Sequence, residues 1–170
     1  TFSCTRRCKE FCKSPTIDRN PSKQEVVNYI TRQCIKKDLP AQIGLTIGWM
    51  ENKFVQFKNN TPVGNRNRDK KGKLISSDWG IMQINDLAWK NSYDLNKIKN
   101  DWKYNVDAGI DIAKKSHSAA SLKDRNGSNE GNKGPHSYDD NLAQATYSGY
   151  NAGVANINRY RIKQDERDKI

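Results

Sequence analysis

Two acidic residues stand in apolar surroundings that are unusual for carboxylates in this chain. Glu51 follows Leu39–Met50, a stretch without a charge in a protein in which 29% of residues are charged. Asp78 lies among small and apolar residues in Ser76-Ser-Asp-Trp-Gly80. Because burial and the negative end of a helix dipole both disfavour a carboxylate, we expect the pKa of Glu51 to be raised. An acid that keeps its proton near neutral pH suits general acid catalysis of glycosidic bond cleavage.

The other residue types that build catalytic centres are scarce. The two histidines, His117 and His136, accompany no Gly-x-Ser-x-Gly elbow, so the sequence does not indicate a nucleophilic triad. It contains neither a glycine-rich phosphate loop nor a His-Glu-x-x-His motif. The sequence therefore predicts no metal and no organic cofactor.

The uncharged stretch before Glu51 predicts the helix that positions this residue. Its apolar residues fall on every side of a helical wheel, so we expect a helix over about 40–52 that is buried all round. Pro40 suits the first position of such a helix. Upstream, Ser22-Lys-Gln-Glu25 matches a capping box and predicts a helix over about 22–37.

The rest of the sequence predicts one polar segment without a core and several further helices. Residues 59–73 are too polar and turn-rich for a core, which indicates either a long loop or a small β-hairpin. Apolar spacing predicts helices over about 101–116, from Asp139 or Asp140 to Ser148, and over 154–164 after a break at 150–153. We predict a mainly α (α+β) fold, with a catalytic domain over 22–170 and a basic, cysteine-bearing extension over 1–21.

Charge and cysteine content bear on the partners and the compartment. The net charge of +11 indicates an anionic partner, but the basic residues form no RNA- or DNA-recognition pattern, so nucleic acid is not expected. No apolar run reaches the ~18 residues of a membrane span. The four cysteines, Cys4, Cys8, Cys12 and Cys34, predict two disulfides with three possible pairings, and hence an extracytoplasmic location.

Four short motifs follow one another along the chain: Glu51-Asn-Lys-Phe54, Gly80-Ile-Met-Gln-Ile-Asn85, Asn105-Val-Asp-Ala-Gly109 and Ala145-Thr-Tyr-Ser-Gly-Tyr-Asn-Ala-Gly153. They resemble Glu-Ser-x-Phe, Gly-Leu-Met-Gln, Asn-Ile-x-x-Gly and Ala-x-Tyr-Asn-Ala-Gly of the soluble lytic transglycosylase family, in the lysozyme-like superfamily. The resemblance extends over about 22–162. Asn52 departs from it, because the family often has Ser there.

This resemblance implies a lysozyme-like fold and a monomeric enzyme that cleaves peptidoglycan glycan strands. It implies that Glu51 is the catalytic acid/base, and that the sugar-binding residues are Met82, Gln83, Tyr147, Tyr150 and Asn151. A Tyr150 hydroxyl beside Glu51 could hold the carboxyl group in place. The positive charge would hold the protein to anionic cell-wall polymers.

The resemblance leaves the reaction outcome open. Ser77-Asp-Trp-Gly-Ile-Met-Gln-Ile-Asn85 is also similar to Thr-Asp-Tyr-Gly-Ile-Leu-Gln-Ile-Asn of animal-type lysozymes, whose aspartate is the second catalytic carboxylate. A lytic transglycosylase needs only Glu51, because the muramic acid 6-hydroxyl closes on C1. A lysozyme or chitinase would also use Asp78 to assist water or to stabilise positive charge. A non-catalytic, cationic wall-binding module is the alternative of another class.

Overall fold

Helices and one small region of antiparallel strands alternate along the chain. The structure, a computed structural model, describes residues 20–125 and 138–159. In chain order the elements are α1 (Lys23–Lys36), α2 (Ala41–Asn52), β1 (Phe57–Lys58), β2 (Thr61–Pro62), β3 (Gly64–Arg68), β4 (Leu74–Trp79), β5 (Ile84–Asn85), α3 (Asp86–Trp89), α4 (Leu95–Asn100), α5 (Trp102–Arg125) and α6 (Tyr138–Ala152). This mixture of helices and a small sheet confirms the predicted α+β class.

The predicted capping box starts α1. The hydroxyl of Ser22 accepts a hydrogen bond from the Glu25 amide at 3.2 Å, and the Glu25 carboxylate accepts one from the Ser22 amide at 2.8 Å. The two bonds satisfy backbone donors that the first helical turn leaves without partners. The helix then buries Val26, Ile30 and Cys34 on one face.

Cys34 corrects the predicted pair of disulfides. It is an unpaired, fully buried thiol on the core face of α1, and burial raises its pKa to about 11. A Cβ atom added to Gly44 of α2 would lie only 2.4 Å from the Cys34 sulfur, so the thiol fills the contact between the two helices. The other three cysteines lie outside the described residues.

Helix α2 is not buried all round, contrary to our expectation. Its core face consists of Gly44, Ile47 and Gly48, whereas Trp49 and Met50 are 44% and 42% exposed. A Cβ atom on Gly48 would lie 3.1 Å from Ile30 of α1, so the two glycines let the helices approach closely. The contact between α1 and α2 therefore depends on glycines, and the larger Trp49 and Met50 are partly exposed to solvent.

The polar segment after α2 forms a β-hairpin, so of the two predicted alternatives, a long loop or a small hairpin, the hairpin is correct. Strand β3 pairs antiparallel with β4, and β4 pairs in turn with β5. At the hairpin tip the Asp69 carboxylate accepts hydrogen bonds from the amides of Lys71 and Lys73, both at 2.9 Å. Polar side chains build the turn and most of β3, which explains the absence of an apolar pattern over 59–73.

The two C-terminal helices are longer than predicted. Helix α5 continues to Arg125, and α6 runs through the predicted break at 150–153 and ends at Ala152. The helix ends just before Gly153, whose φ of +86° is a conformation that glycine adopts more readily than other residues. A 3-10 turn, Val154–Asn156, follows where we predicted the start of an α-helix; residues 160–164 of that helix lie outside the described part.

Two buried amide side chains fasten the turn between β4 and β5. Asn105 accepts a hydrogen bond from the Met82 amide at 2.9 Å and donates to the carbonyl oxygens of Trp79 and Ile98 at 2.8 and 3.1 Å. Gln56 accepts one from the Ile81 amide at 3.0 Å. Both side chains are fully buried, so every one of these bonds replaces contact with water.

We expect Asn105→Ala to lower the free energy of unfolding by about 3 kcal/mol, because it removes three buried hydrogen bonds to backbone groups of Met82, Trp79 and Ile98. The Ile98 carbonyl keeps its hydrogen bond from Gln56 at 3.0 Å. Urea unfolding measures the change. Asn96→Ala, at an exposed position of α4, should change stability by less than ~0.5 kcal/mol. Equal losses in both variants would contradict the proposed role of the buried amide.

Candidate active site

A cleft of about 540 Å³ collects most of the predicted site residues. It is lined by Glu51, Asn65, Asn67, Asp78, Gln83, Ile84, Asn85, Ala88, Trp89, Ile112, Tyr150, Asn151, Ala152 and Gly153. Both carboxylates lie in its wall, although 26 residues separate them along the chain. The fold thus unites Glu51 at the end of α2, Asp78 on β4 and the last turn of α6.

The carboxyl group of Glu51 is positioned by α2 and by one tyrosine. Helix α2 ends at Asn52, the residue after Glu51, and the next residue, Lys53, adopts a left-handed conformation. The Tyr147 hydroxyl donates a hydrogen bond to Glu51 Oε1 at 3.0 Å. Burial raises the pKa of Glu51 to about 7, and the charge of Asp78 adds to this effect, whereas the Tyr147 hydrogen bond opposes it. The predicted direction of the shift and its main cause are confirmed.

Tyr147, rather than the expected Tyr150, donates the hydrogen bond to Glu51. Tyr147 contacts the Glu51 carboxyl group, while the Tyr150 hydroxyl donates to the carbonyl oxygen of Met82 at 2.5 Å. Tyr147 is only 5% exposed and is not among the cleft-lining residues, so it contacts Glu51 from the protein interior and not from the cleft. Because α6 continues through both residues, their spacing of three places them on one helix face.

Met82 and Gln83 are neighbours in the chain, but their side chains lie in different surroundings. The Met82 side chain is fully buried beside Gly109, where a Cβ atom would lie 2.5 Å from that of Met82, so the expectation that it lines the sugar cleft is wrong. Gln83 does line the cleft. Its amide donates to the Gly80 carbonyl at 2.7 Å and accepts from Asn65 at 2.6 Å. One N–H and one lone pair of Gln83 are left for a ligand.

Asp78 is held by two amides from the flanking strands. Asn67 of β3 donates to Asp78 Oδ2 at 2.8 Å, and Asn85 of β5 donates to Oδ1 at 2.6 Å. The same two amides also donate to the Ser76 hydroxyl at 3.1 Å. This arrangement joins the three strands, and it also orients an anion toward the cleft. The carboxylate can therefore stabilise positive charge that develops on a bound ligand.

Our sequence prediction missed several cleft residues. Asn65 and Asn67 lie two residues apart on β3, so both point to the cleft face of the strand. That alternation is visible in the sequence, but it becomes informative only once the segment is known to be a strand. Trp89 adds an aromatic surface at the end of α3, where its ring packs against Tyr93 with centroids 5.8 Å apart.

Asn52, the departure from the family motif, bridges the helix to the strand region. Its amide donates to the Val55 carbonyl at 2.6 Å and to the Gly80 carbonyl at 3.2 Å. The second bond ties the end of α2 to the turn that carries Gln83. Asn52 therefore sets the position of Glu51 relative to the sheet wall of the cleft.

The described residues offer no evident metal ligands. Within 20–125 and 138–159, no group of three or more His, Cys, Asp or Glu side chains lies close enough to hold a metal ion. In the same part of the chain, no helix has both the length and the apolar character needed to cross a membrane. The cleft itself presents carboxyl, amide and phenol groups to a ligand.

Comparison with known proteins leaves the function to be inferred from these residues. No family model, no curated protein and no solved structure matches the chain. The sequence motifs and the geometry of the cleft are therefore the grounds for a functional proposal.

Removing the Tyr147 hydroxyl should change how activity depends on pH. The hydroxyl lowers the pKa of Glu51, so in Tyr147→Phe this pKa should rise further. If Glu51 is the catalytic acid that the sequence motifs predict, activity falls as pH rises through its pKa, and the alkaline limb of the pH profile should move to higher pH. We expect the maximal rate to fall by roughly tenfold, because the carboxyl group loses its anchor.

The pH dependence of glycosidic bond cleavage, measured on the substrate that the sequence motifs predict, tests this effect. Tyr150→Phe is the matched control, since it removes a phenol that bonds to a backbone carbonyl rather than to Glu51. The control should leave the alkaline limb in place. An alkaline limb that stays unchanged in Tyr147→Phe, or moves to lower pH, would show that the Tyr147 hydrogen bond does not lower the pKa of Glu51.

Proposed function

We propose that this protein is a lysozyme-like enzyme that cleaves the β-1,4 bond between N-acetylmuramic acid and N-acetylglucosamine in peptidoglycan. The observation that carries the proposal is the Glu51 carboxyl group, which lines a cleft with a pKa of about 7 and so holds a proton near neutral pH. The surrounding amides of Asn65, Gln83 and Asn151 suit acetamido sugars, because an amide offers both a donor and an acceptor.

Glu51 would act twice in the reaction. It first donates its proton to the glycosidic oxygen, so that the C1–O bond breaks and the leaving sugar departs with a new hydroxyl. The sugar that remains carries positive charge at C1. The ionised Glu51 then removes the proton from the hydroxyl group that attacks C1. In a lytic transglycosylase this group is the muramic acid 6-hydroxyl, which gives a 1,6-anhydro product and restores the protonated Glu51.

Hydrolysis of lysozyme or chitinase type is the second candidate, and the position of Asp78 favours it. Asp78 lies in the same cleft, its charge acts on Glu51, and two amides orient it. Such a carboxylate can activate water or stabilise the positive charge at C1. The same hydrogen bonds also join β3, β4 and β5, which alone would explain an aspartate here.

Mass spectrometry of a peptidoglycan digest separates these outcomes. A transglycosylase leaves 1,6-anhydro ends that are ~18 Da lighter than the reducing ends left by hydrolysis. Tight binding to cell walls without any soluble product would instead indicate a cationic wall-binding module. The net charge of +11 should hold the protein to anionic wall polymers, and added salt should weaken that binding. A peptidoglycan substrate also implies an extracytoplasmic location, which no longer depends on a disulfide at Cys34.

A further inference from the structure

A second, open groove of about 510 Å³ lies beside the cleft. It is lined by Lys37, Tyr93, Asp111, Lys114 and Lys115. Two of the three lysine amines are ion-paired, Lys37 with Asp111 and Lys114 with Asp38, so the excess positive charge of the groove comes from Lys115. The acidic groups that line the cleft are instead two carboxyl groups. The two depressions therefore suit ligand groups of different chemistry.

The groove and the cleft meet at a pair of aromatic rings. Trp89 lines the cleft and Tyr93 lines the groove, with their ring centroids 5.8 Å apart. The amine of Lys115 lies 5.9 Å from the centroid of the Trp89 ring. On the same helix, Ile112 faces the cleft. A branch on a polymer bound in the cleft would thus reach the groove by crossing only these two rings.

The lysines of the groove differ in their partners. The Lys37 amine forms an ion pair with Asp111 at 2.6 Å. The Lys114 amine forms an ion pair with the Asp38 carboxylate at 3.4 Å and also donates to the backbone carbonyl of Asp38. Lys115 is exposed, and its amine lies at the border with the cleft. An incoming carboxylate could pair with Lys115 without displacing the partners of the other two lysines.

We propose that this groove binds the carboxylate groups of the peptide branches that peptidoglycan carries on its muramic acid residues, with Lys115 as the principal contact. This inference rests on the proposed function. Charge complementarity favours such a ligand, and so does the position of the groove beside the glycan cleft. The Tyr93 ring and the lysine methylene groups offer apolar surface to a peptide. Chitin, which has neither branches nor charges, would leave the groove empty.

A comparison of two lysines on α5 tests the proposal. Lys103 is also exposed, and its amine lies 5.6 Å from the centroid of Trp102, a residue that does not line the cleft. On soluble peptide-bearing glycan strands, Lys115→Ala should lower kcat/KM by about fivefold, and Lys115→Glu by more. On the same strands stripped of peptides by an amidase, both Lys115 variants should match the wild type. Lys103→Ala should leave both activities unchanged.

Equal effects of Lys115→Ala on the two substrates, or no effect on either, would overturn the proposed groove. Binding measured without turnover separates this result from a failure of the proposed function. If the wild type cleaves neither substrate, the proposed function is wrong, and the Kd for a disaccharide-peptide still tests the groove. A Kd that Lys115→Ala leaves unchanged overturns the proposal, as does a variant that loses binding only to phosphate-bearing wall polymers.

Discussion

Replacing Glu51 with Gln is expected to lower the rate of peptidoglycan cleavage by roughly 10³-fold. The amide keeps the size of the side chain and can still accept the Tyr147 hydrogen bond, but it cannot deliver a proton to the leaving oxygen. Release of soluble muropeptides measures the loss. Glu25→Gln is the matched control, because a glutamine preserves the capping box of α1 and Glu25 does not line the cleft. Full activity of Glu51→Gln would exclude both the transglycosylase and the hydrolase.

The same variant should be more stable than the wild type above pH 7. The pKa of Glu51 rises from 4.5 to about 7 in the folded protein, so the folded state binds the proton more tightly than the unfolded chain does. The wild type should therefore lose stability between pH 4.5 and 7, by ~3 kcal/mol in total. Glu51→Gln lacks this group, so the difference between the two unfolding free energies should widen across that interval. Parallel pH profiles would show that Glu51 titrates normally.

Replacing Asp78 with Asn is expected to reduce the rate by roughly 10²-fold, because the cleft loses the anion that faces developing positive charge. The loss of this charge should also lower the pKa of Glu51, since Asp78 raises it. The alkaline limb of the pH profile should therefore move to lower pH, opposite to the shift expected for Tyr147→Phe. If the enzyme is a transglycosylase, the remaining products keep their anhydro ends, because ring closure needs no second carboxylate.

Asp86 provides the matched control for this substitution. Its carboxylate also accepts two hydrogen bonds in the sheet region, from the Ser77 amide at 2.8 Å and from Trp79 Nε1 at 3.0 Å, but it does not line the cleft. Asp86→Asn should cost similar stability and leave the pH profile unchanged. If Asp78→Asn retains a rate within threefold of the wild type and an unmoved pH limb, Asp78 serves only to join the strands.

The local features of this protein could be predicted from its sequence. The capping box at Ser22 depends on residues three positions apart, and it occurs as predicted. The raised pKa of Glu51 follows from an acid that ends an uncharged helix, and the structure agrees in direction and cause. The polar segment after α2 indicated a hairpin as one of two possibilities. The capping box depends on neighbouring residues, and the direction of the Glu51 shift follows from its apolar surroundings in the sequence, although Asp78 and Tyr147 also act on it from distant parts of the chain.

The identity of each neighbour in the cleft depended on tertiary structure. Whether Tyr147 or Tyr150 reaches Glu51 depends on the rotation of α6 about its axis, which is set by packing rather than by the helical pattern. Met82 faces the core because the absence of a side chain at Gly109 leaves room for it. Asn67 and Asn85 converge on Asp78 only through the register of three strands. Composition and spacing show that a helix or strand forms, but close packing decides which of its faces meets Glu51.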